Sequence, residues 1–208
     1  RFTMQTESVV PFLQFHRSAL AFLILPLLLW AASAAGAEEA PPLRNFSADD
    51  IRLTRTGDGF HIEVSMIAPV ALETAWQVLT DFDHMARFIP NLERSVVTSR
   101  TGNRLRLEQQ GKAYFGPFPI IFGSTRDVEL VPMREIRARQ VTGTAKSMES
   151  SMRFSSVPEG TQLDYRADIV PDTYLPPLFG PGAVRREMAD QFSAILYEMR
   201  LRAVSEKR

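Results

Sequence analysis

The stretch TQLDYRADIV, Thr161 to Val170, sets Leu163, Tyr165, Ala167 and Ile169 in strict alternation with Asp164, Arg166 and Asp168. A period of two puts the first set on one face of an extended chain and the second on the other, so the stretch is a strand with one buried and one wet side. Downstream lies a proline-rich apolar segment, TYLPPLFGPG (Thr173 to Gly182), and then the period changes. From Ala183 to about Ser205, Val184, Met188, Phe192, Ile195 and Met199 form one apolar stripe, with Arg185, Arg186, Asp190, Glu198 and Arg202 largely elsewhere. That is a long amphipathic helix. A one-sided strand delivered into a one-sided helix predicts a sheet that packs its apolar face on a C-terminal helix.

Upstream, the same alternation recurs between turn signals. Ile51 to Thr56 and Phe60 to Ile67 flank Gly57-Asp58-Gly59 and read as a hairpin. Pro69 is expected to open a helix carrying Ala71, Leu72, Ala75, Trp76 and Leu79, and DFDHMARFIPNL to form a short helical turn capped by Asp81 or Asp83. Strands follow at Val96 to Thr98, Leu105 to Ala113, Phe122 to Leu130, Glu135 to Thr142 and Ser147 to Val157. Their short links predict an antiparallel meander. Between two of them, YFGPFPIIFG (Tyr114 to Gly123) is uncharged and carries two prolines, which deny ladder hydrogen bonds, so a loop or bulge is expected there.

The first 37 residues differ from the rest. LAFLILPLLLW (Leu20 to Trp30) follows His16-Arg17 and precedes AASAAGA, whose Ala35-Gly36-Ala37 suits signal cleavage, so residues 1–37 are expected to be a signal peptide and the protein to be exported, to the periplasm. A retained membrane anchor is the alternative, which the short, Pro26-interrupted run disfavours. Residues 38–50 read as a linker and 51–208 as one domain. Without the leader, 22 basic residues face 23 acidic ones, so no global field favours nucleic acid. The chain has no cysteine, which excludes thiol nucleophiles, thiolate metal sites and disulfides. No zinc spacing, nucleophile elbow or phosphate-cradling glycine loop occurs, so neither metal nor cofactor is expected.

The element order, the run WQVLTDF at Trp76 to Phe82, Phe88-Ile89-Pro90 and the proline-rich loop before the last helix together resemble the START-like (Bet v 1-like) superfamily. The nearest branch is the polyketide cyclase/dehydrase and coenzyme Q-binding group, and the likeness spans Ile51 to Ala203. The resemblance implies an α+β helix-grip fold, a curved antiparallel sheet wrapped around the long C-terminal helix, with an apolar cavity between them. It further implies a hydrophobic ligand such as a lipid, an isoprenoid quinone or an aromatic polyketide. The leader departs from the cytosolic or mitochondrial habit of the group.

The inward rows contain residues that a sealed core does not use: Gln109, Ser124, Arg126, Gln140 and Ser150. An arginine in a closed core costs several kcal/mol unless paired. Arg126 therefore either projects into a cavity and holds an oxygen of the ligand, or snorkels at the strand end or pairs with Glu108 or Glu149, and a one-residue slip of register would turn it to solvent. Gln109, Gln140 and Tyr165 are further polar candidates, and Trp76, Phe122, Phe154, Met188 and Phe192 are candidate apolar walls. Met148, Met152, Met188 and Met199 suggest an adaptable lining. His84 lies between carboxylates in DFDHM, where capping explains it as well as chemistry does. The leading expectation is a non-enzymatic binder or shuttle of a hydrophobic molecule, touching a membrane through 114–123 and 173–182. A cyclase or dehydratase using Arg126, Tyr165 and Gln109 is the second, and an envelope interaction domain with a filled core the third.

Overall fold

The computed structural model describes residues 46–115, 118–172 and 181–206, the side chains at 113–120 excepted. The expected leader, most of the linker and most of TYLPPLFGPG lie outside these residues. Two strands come first, β1 (Ile51–Thr56) and β2 (Gly59–Ala68), then helix α1 (Leu72–Thr80) and a 3-10 turn, Phe82–Arg87. Six strands follow: β3 (Leu92–Thr101), β4 (Arg104–Phe115), β5 (Phe118–Val131), β6 (Glu135–Gly143), β7 (Ala145–Val157) and β8 (Gly160–Pro171). Helix α2 (Pro181–Ser205) ends the described chain.

The eight strands form one antiparallel sheet in the order β1-β2-β8-β7-β6-β5-β4-β3, so the meander closes by pairing its last strand with the N-terminal hairpin. Register shifts leave Glu93, Thr98, Val141 and Lys146 without a direct partner. Such bulges bend and twist a strand, and they curve this sheet around α2. The alternation of β8 holds as read: Leu163 and Ala167 are buried, while Asp164 and Arg166 lie on the wet face, bonding Ser65 and Glu63. The helix-grip fold is the observed one.

Several local expectations are corrected. Pro69 does not open α1: the helix begins at Leu72, with Ala71 at its N-cap. The segment before it is pinned instead by Thr161, whose buried hydroxyl donates to the Val70 carbonyl at 2.9 Å. Neither Asp81 nor Asp83 caps the 3-10 turn with its side chain. Asp83 Oδ1 accepts the Val97 N–H at 2.7 Å, and Asp81 Oδ1 meets His84 Nδ1 at 2.6 Å. The end of the expected linker belongs to the domain. Ser47 N–H donates to Asp50 Oδ2 across a 3-10 turn, and Phe46 packs edge-on against Phe192 at 5.8 Å.

The expected loop in YFGPFPIIFG is largely a hairpin end. β4 and β5 stay paired from Arg104↔Glu129 to Phe115↔Phe118. β6 pairs with β5 only from Ser124 onward, so Pro119 falls where β5 has a partner on one side alone, a position that tolerates proline.

The core divides in two. The larger cluster lies under α1 and α2 and contains Ile62, Val78, Leu163 and Met199, all almost fully buried. The smaller one, Phe82, Met85, Leu92, Leu105, Leu107 and Val128, lies under the 3-10 turn. Each fully buried large side chain contributes roughly 1.5–3 kcal/mol.

A candidate ligand cavity between sheet and helix

A cavity of about 300 Å³ takes walls from both core clusters. Its floor comes from inward residues of β4 to β8, and α2 covers it with Met188, Gln191, Phe192 and Ile195. Leu79, Phe82, Met85, Ile89 and Leu92, from the end of α1 through the start of β3, close one flank.

Of the residues singled out in the sequence, Gln109, Phe122, Arg126, Tyr165, Met188 and Phe192 line this cavity, and Trp76, Gln140 and Phe154 do not. Trp76 and Phe154 pack on each other edge-on, centroids 5.2 Å apart, inside the larger core cluster. Gln140 lies directly across from Arg126, but the β6–β7 ladder ends at Arg139↔Glu149. Its Nε2 crosses the gap to the Ala145 carbonyl at 2.6 Å. Ser124, Ser150, Met148 and Met152 do line the cavity. The flank from Leu79 to Leu92 and Gln191 were missed as site residues: their apolar and polar spacing is that of ordinary packing, and only the fold brings them to the sheet.

Arg126 decides the electrostatics. Among the described lining residues it is the sole charged group. The two carboxylates that offered it an alternative are engaged elsewhere: Glu108 with Arg94 at 3.1 Å, and Glu149 with Arg139 at 2.9 Å. Its Nε is buried with no hydrogen-bond partner among the described residues. Part of the side chain remains accessible because it faces the cavity, yet desolvation by the surrounding protein pushes its pKa down, only partly opposed by Tyr165. Burial likewise pushes the Tyr165 phenol up, against the opposing effects of Arg126 and a hydrogen bond with Ser150. The phenol therefore stays protonated and neutral. Tyr165 also stacks edge-on with Phe192 at 5.4 Å, which fixes its ring under the helix. The amide nitrogen of Gln109 donates to Ser95 Oγ at 3.0 Å.

The site's upper edge is tied to α2. Asn91, in a left-handed backbone conformation with φ 64°, donates through Nδ2 to both carboxylate oxygens of Glu187 at 3.1 Å. Beside it, Gly111 lets Phe122 approach: a Cβ at 111 would lie 2.1 Å from the Asn91 carbonyl oxygen and 2.6 Å from the Phe122 ring. No group of three potential metal ligands converges among the described residues.

A curved antiparallel sheet holding a long C-terminal helix, with an apolar-walled cavity and a few polar side chains between them, defines a START-like helix-grip protein. Residues 68–196 match the family described as polyketide cyclase/dehydrase and lipid transport, and the chain belongs to that family. Solved structures agree on the fold. An aromatase/cyclase from a Streptomyces species is similar over 68% of this chain and 94% of its own, at 20% identity and TM-score 0.57. A STAR-related lipid transfer protein fragment from Xanthomonas axonopodis matches over 73% and 99%, at 13% identity and TM-score 0.55. Human STARD10 matches over 73% of each chain, at 14% identity and TM-score 0.55. No curated protein matches the chain significantly in sequence.

Proposed function

We propose that the protein is an exported binder or shuttle of a hydrophobic small molecule of lipid or isoprenoid type, held between the sheet and α2. The observation that carries this reading is the cavity of about 300 Å³, walled by apolar and methionine side chains around a guanidinium that forms no ion pair among the described residues. Binding is driven by desolvation, about 25 cal/mol for each Å² of apolar surface removed from water. Arg126 and Tyr165 orient the ligand's polar end, the arrangement of few polar groups in an apolar pocket that small-molecule sites use. Export rests on the apolar leader Leu20 to Trp30 and its Ala35-Gly36-Ala37 end. Membrane contact through 114–123 is supported by Ile121, 60% exposed near the tip of the β4–β5 hairpin.

The cyclase reading draws on the same Arg126 and Tyr165. The described lining residues include no carboxylate or histidine to take up a proton, which favours the binder. The test is native mass spectrometry of the protein purified gently from its own host, followed by organic extraction. A stoichiometric hydrophobic adduct supports the binder. A clean apo mass, with no uptake of offered lipids or quinones, rejects it.

A further inference from the structure

The cavity and its cation together restrict the ligand's charge and size. This inference rests on the binding function proposed above. The guanidinium of Arg126 forms no ion pair among the described residues, and Glu108 and Glu149, the two carboxylates considered for it, are bound to other arginines. A buried cation without a counterion is costly, and a ligand that brings one negative charge removes that cost. A neutral carbonyl supplies hydrogen-bond acceptance but leaves the charge uncompensated. A phosphate monoester, at ≈ −1.5 to −2 near neutral pH, overshoots and strands negative charge against Phe82, Leu107, Val128 and Ile136. A carboxylate matches the planar fork of a guanidinium and cancels its charge. Ser124 and Tyr165, both on the cavity lining, add hydroxyl groups that can donate to an oxyanion, while Ser150 is hydrogen-bonded to Tyr165.

The volume sets the rest. About 300 Å³ lies at the lower end of the roughly 300–1,000 Å³ spanned by small-molecule pockets. It is about twice the ~150 Å³ of an apolar cavity that takes up one benzene ring. Such a space accepts an apolar body of two rings or a medium-length chain, and leaves most of a diacyl phospholipid or a long polyprenyl tail outside.

We infer that the ligand is a small monocarboxylate amphiphile, an acyl or isoprenoid acid of medium length, seated with its carboxylate on Arg126 and its apolar body among Met148, Met152, Met188 and Phe192. Protonated Tyr165 is consistent with this, since a neutral phenol donates without adding negative charge.

Equilibrium dialysis of the full protein against n-decanoate, methyl decanoate and n-decanol tests it, on the wild type and on Arg126→Gln and Arg126→Lys. Decanoate is expected to bind one to one and about ten- to a hundredfold tighter than the ester or alcohol, the worth of a hydrogen-bonded charge. Arg126→Gln loses that margin, weakening decanoate far more than it weakens the ester, and Arg126→Lys retains part of it. Equal or tighter binding of the neutral probes overturns the carboxylate assignment and leaves the cavity reading standing. Binding of none of the three probes, with none on Arg126→Gln, overturns the cavity reading itself. Stoichiometric extraction of intact dioleoyl phosphatidylcholine from vesicles overturns the size limit. The wild-type comparison of acid with ester decides the charge question even if a variant does not fold.

Discussion

Arg126 is the residue at which stability and the proposed binding pull apart. Its buried Nε has no hydrogen-bond partner among the described residues, and an unsatisfied buried donor costs about 1–3 kcal/mol. Replacing it with methionine, of similar length and without the polar group, is expected to raise the unfolding free energy of the ligand-free protein by about that amount in a urea titration. The same variant binds a carboxylate probe more weakly. A variant less stable than wild type would mean that Arg126 has a partner within the chain. Arg126 was legible in the sequence because it interrupts an apolar row, and interruptions are informative. Trp76 and Phe154 were not separable from wall residues by that logic, since a large apolar side chain serves a core and a cavity equally well. Gln140 was misplaced for another reason. Alternation correctly set it opposite Arg126, but the ladder beyond Arg139↔Glu149 opens, and its amide bonds the Ala145 carbonyl instead.

Among elements, the junction of the β3 start with β4 and α2 shapes the cavity's edge. Gly111→Ala is expected to cost about 1–3 kcal/mol in chemical denaturation, because the added methyl group meets the Asn91 carbonyl as well as Phe122, and backbone yields poorly. Asn91→Gly keeps the left-handed conformation available and deletes the amide that holds Glu187. It is expected to speed amide hydrogen exchange in the first turns of α2 and to raise the ligand's dissociation rate, with a smaller change in global stability. Unchanged exchange there would show that the Asn91–Glu187 bond does not hold the helix. At this scale the sequence was a good guide to strands and a poor one to their ends. β3 begins at Leu92, earlier than the alternation in Val96 to Thr98 suggested, because Glu93 and Thr98 are bulged and break the period of two. The prolines of YFGPFPIIFG argued for a loop, yet β5 reaches back to Phe118 because its flank there is unpaired by β6.

For the whole molecule, Asp81 links the 3-10 turn to the far end of α2. Partial burial pushes its carboxyl up, but hydrogen bonds from His84 and Arg202, and their charges, outweigh this and hold it below its ordinary 3.8. A carboxyl depressed by folding stabilises fully above that ordinary value and ceases to do so as the pH falls through the lower folded one. Asp81→Asn is therefore expected to lose about 1–2 kcal/mol at neutral pH, and the gap from wild type to shrink as the pH is taken below 3.8. A gap independent of pH would assign the loss to packing. The helix-grip architecture was legible as a whole because strand count, connection lengths and the final amphipathic helix all agree; the closure of β8 on β2 is a tertiary choice that no local pattern states. That closure has a temporal consequence. His61 meets Asp168 across 107 positions, so the sheet is completed only after nearly the entire chain has left the ribosome. Contacts so distant in sequence slow folding toward milliseconds to seconds. A newly made chain thus passes through an interval in which it is still threadable, the condition that passage through a narrow membrane channel demands.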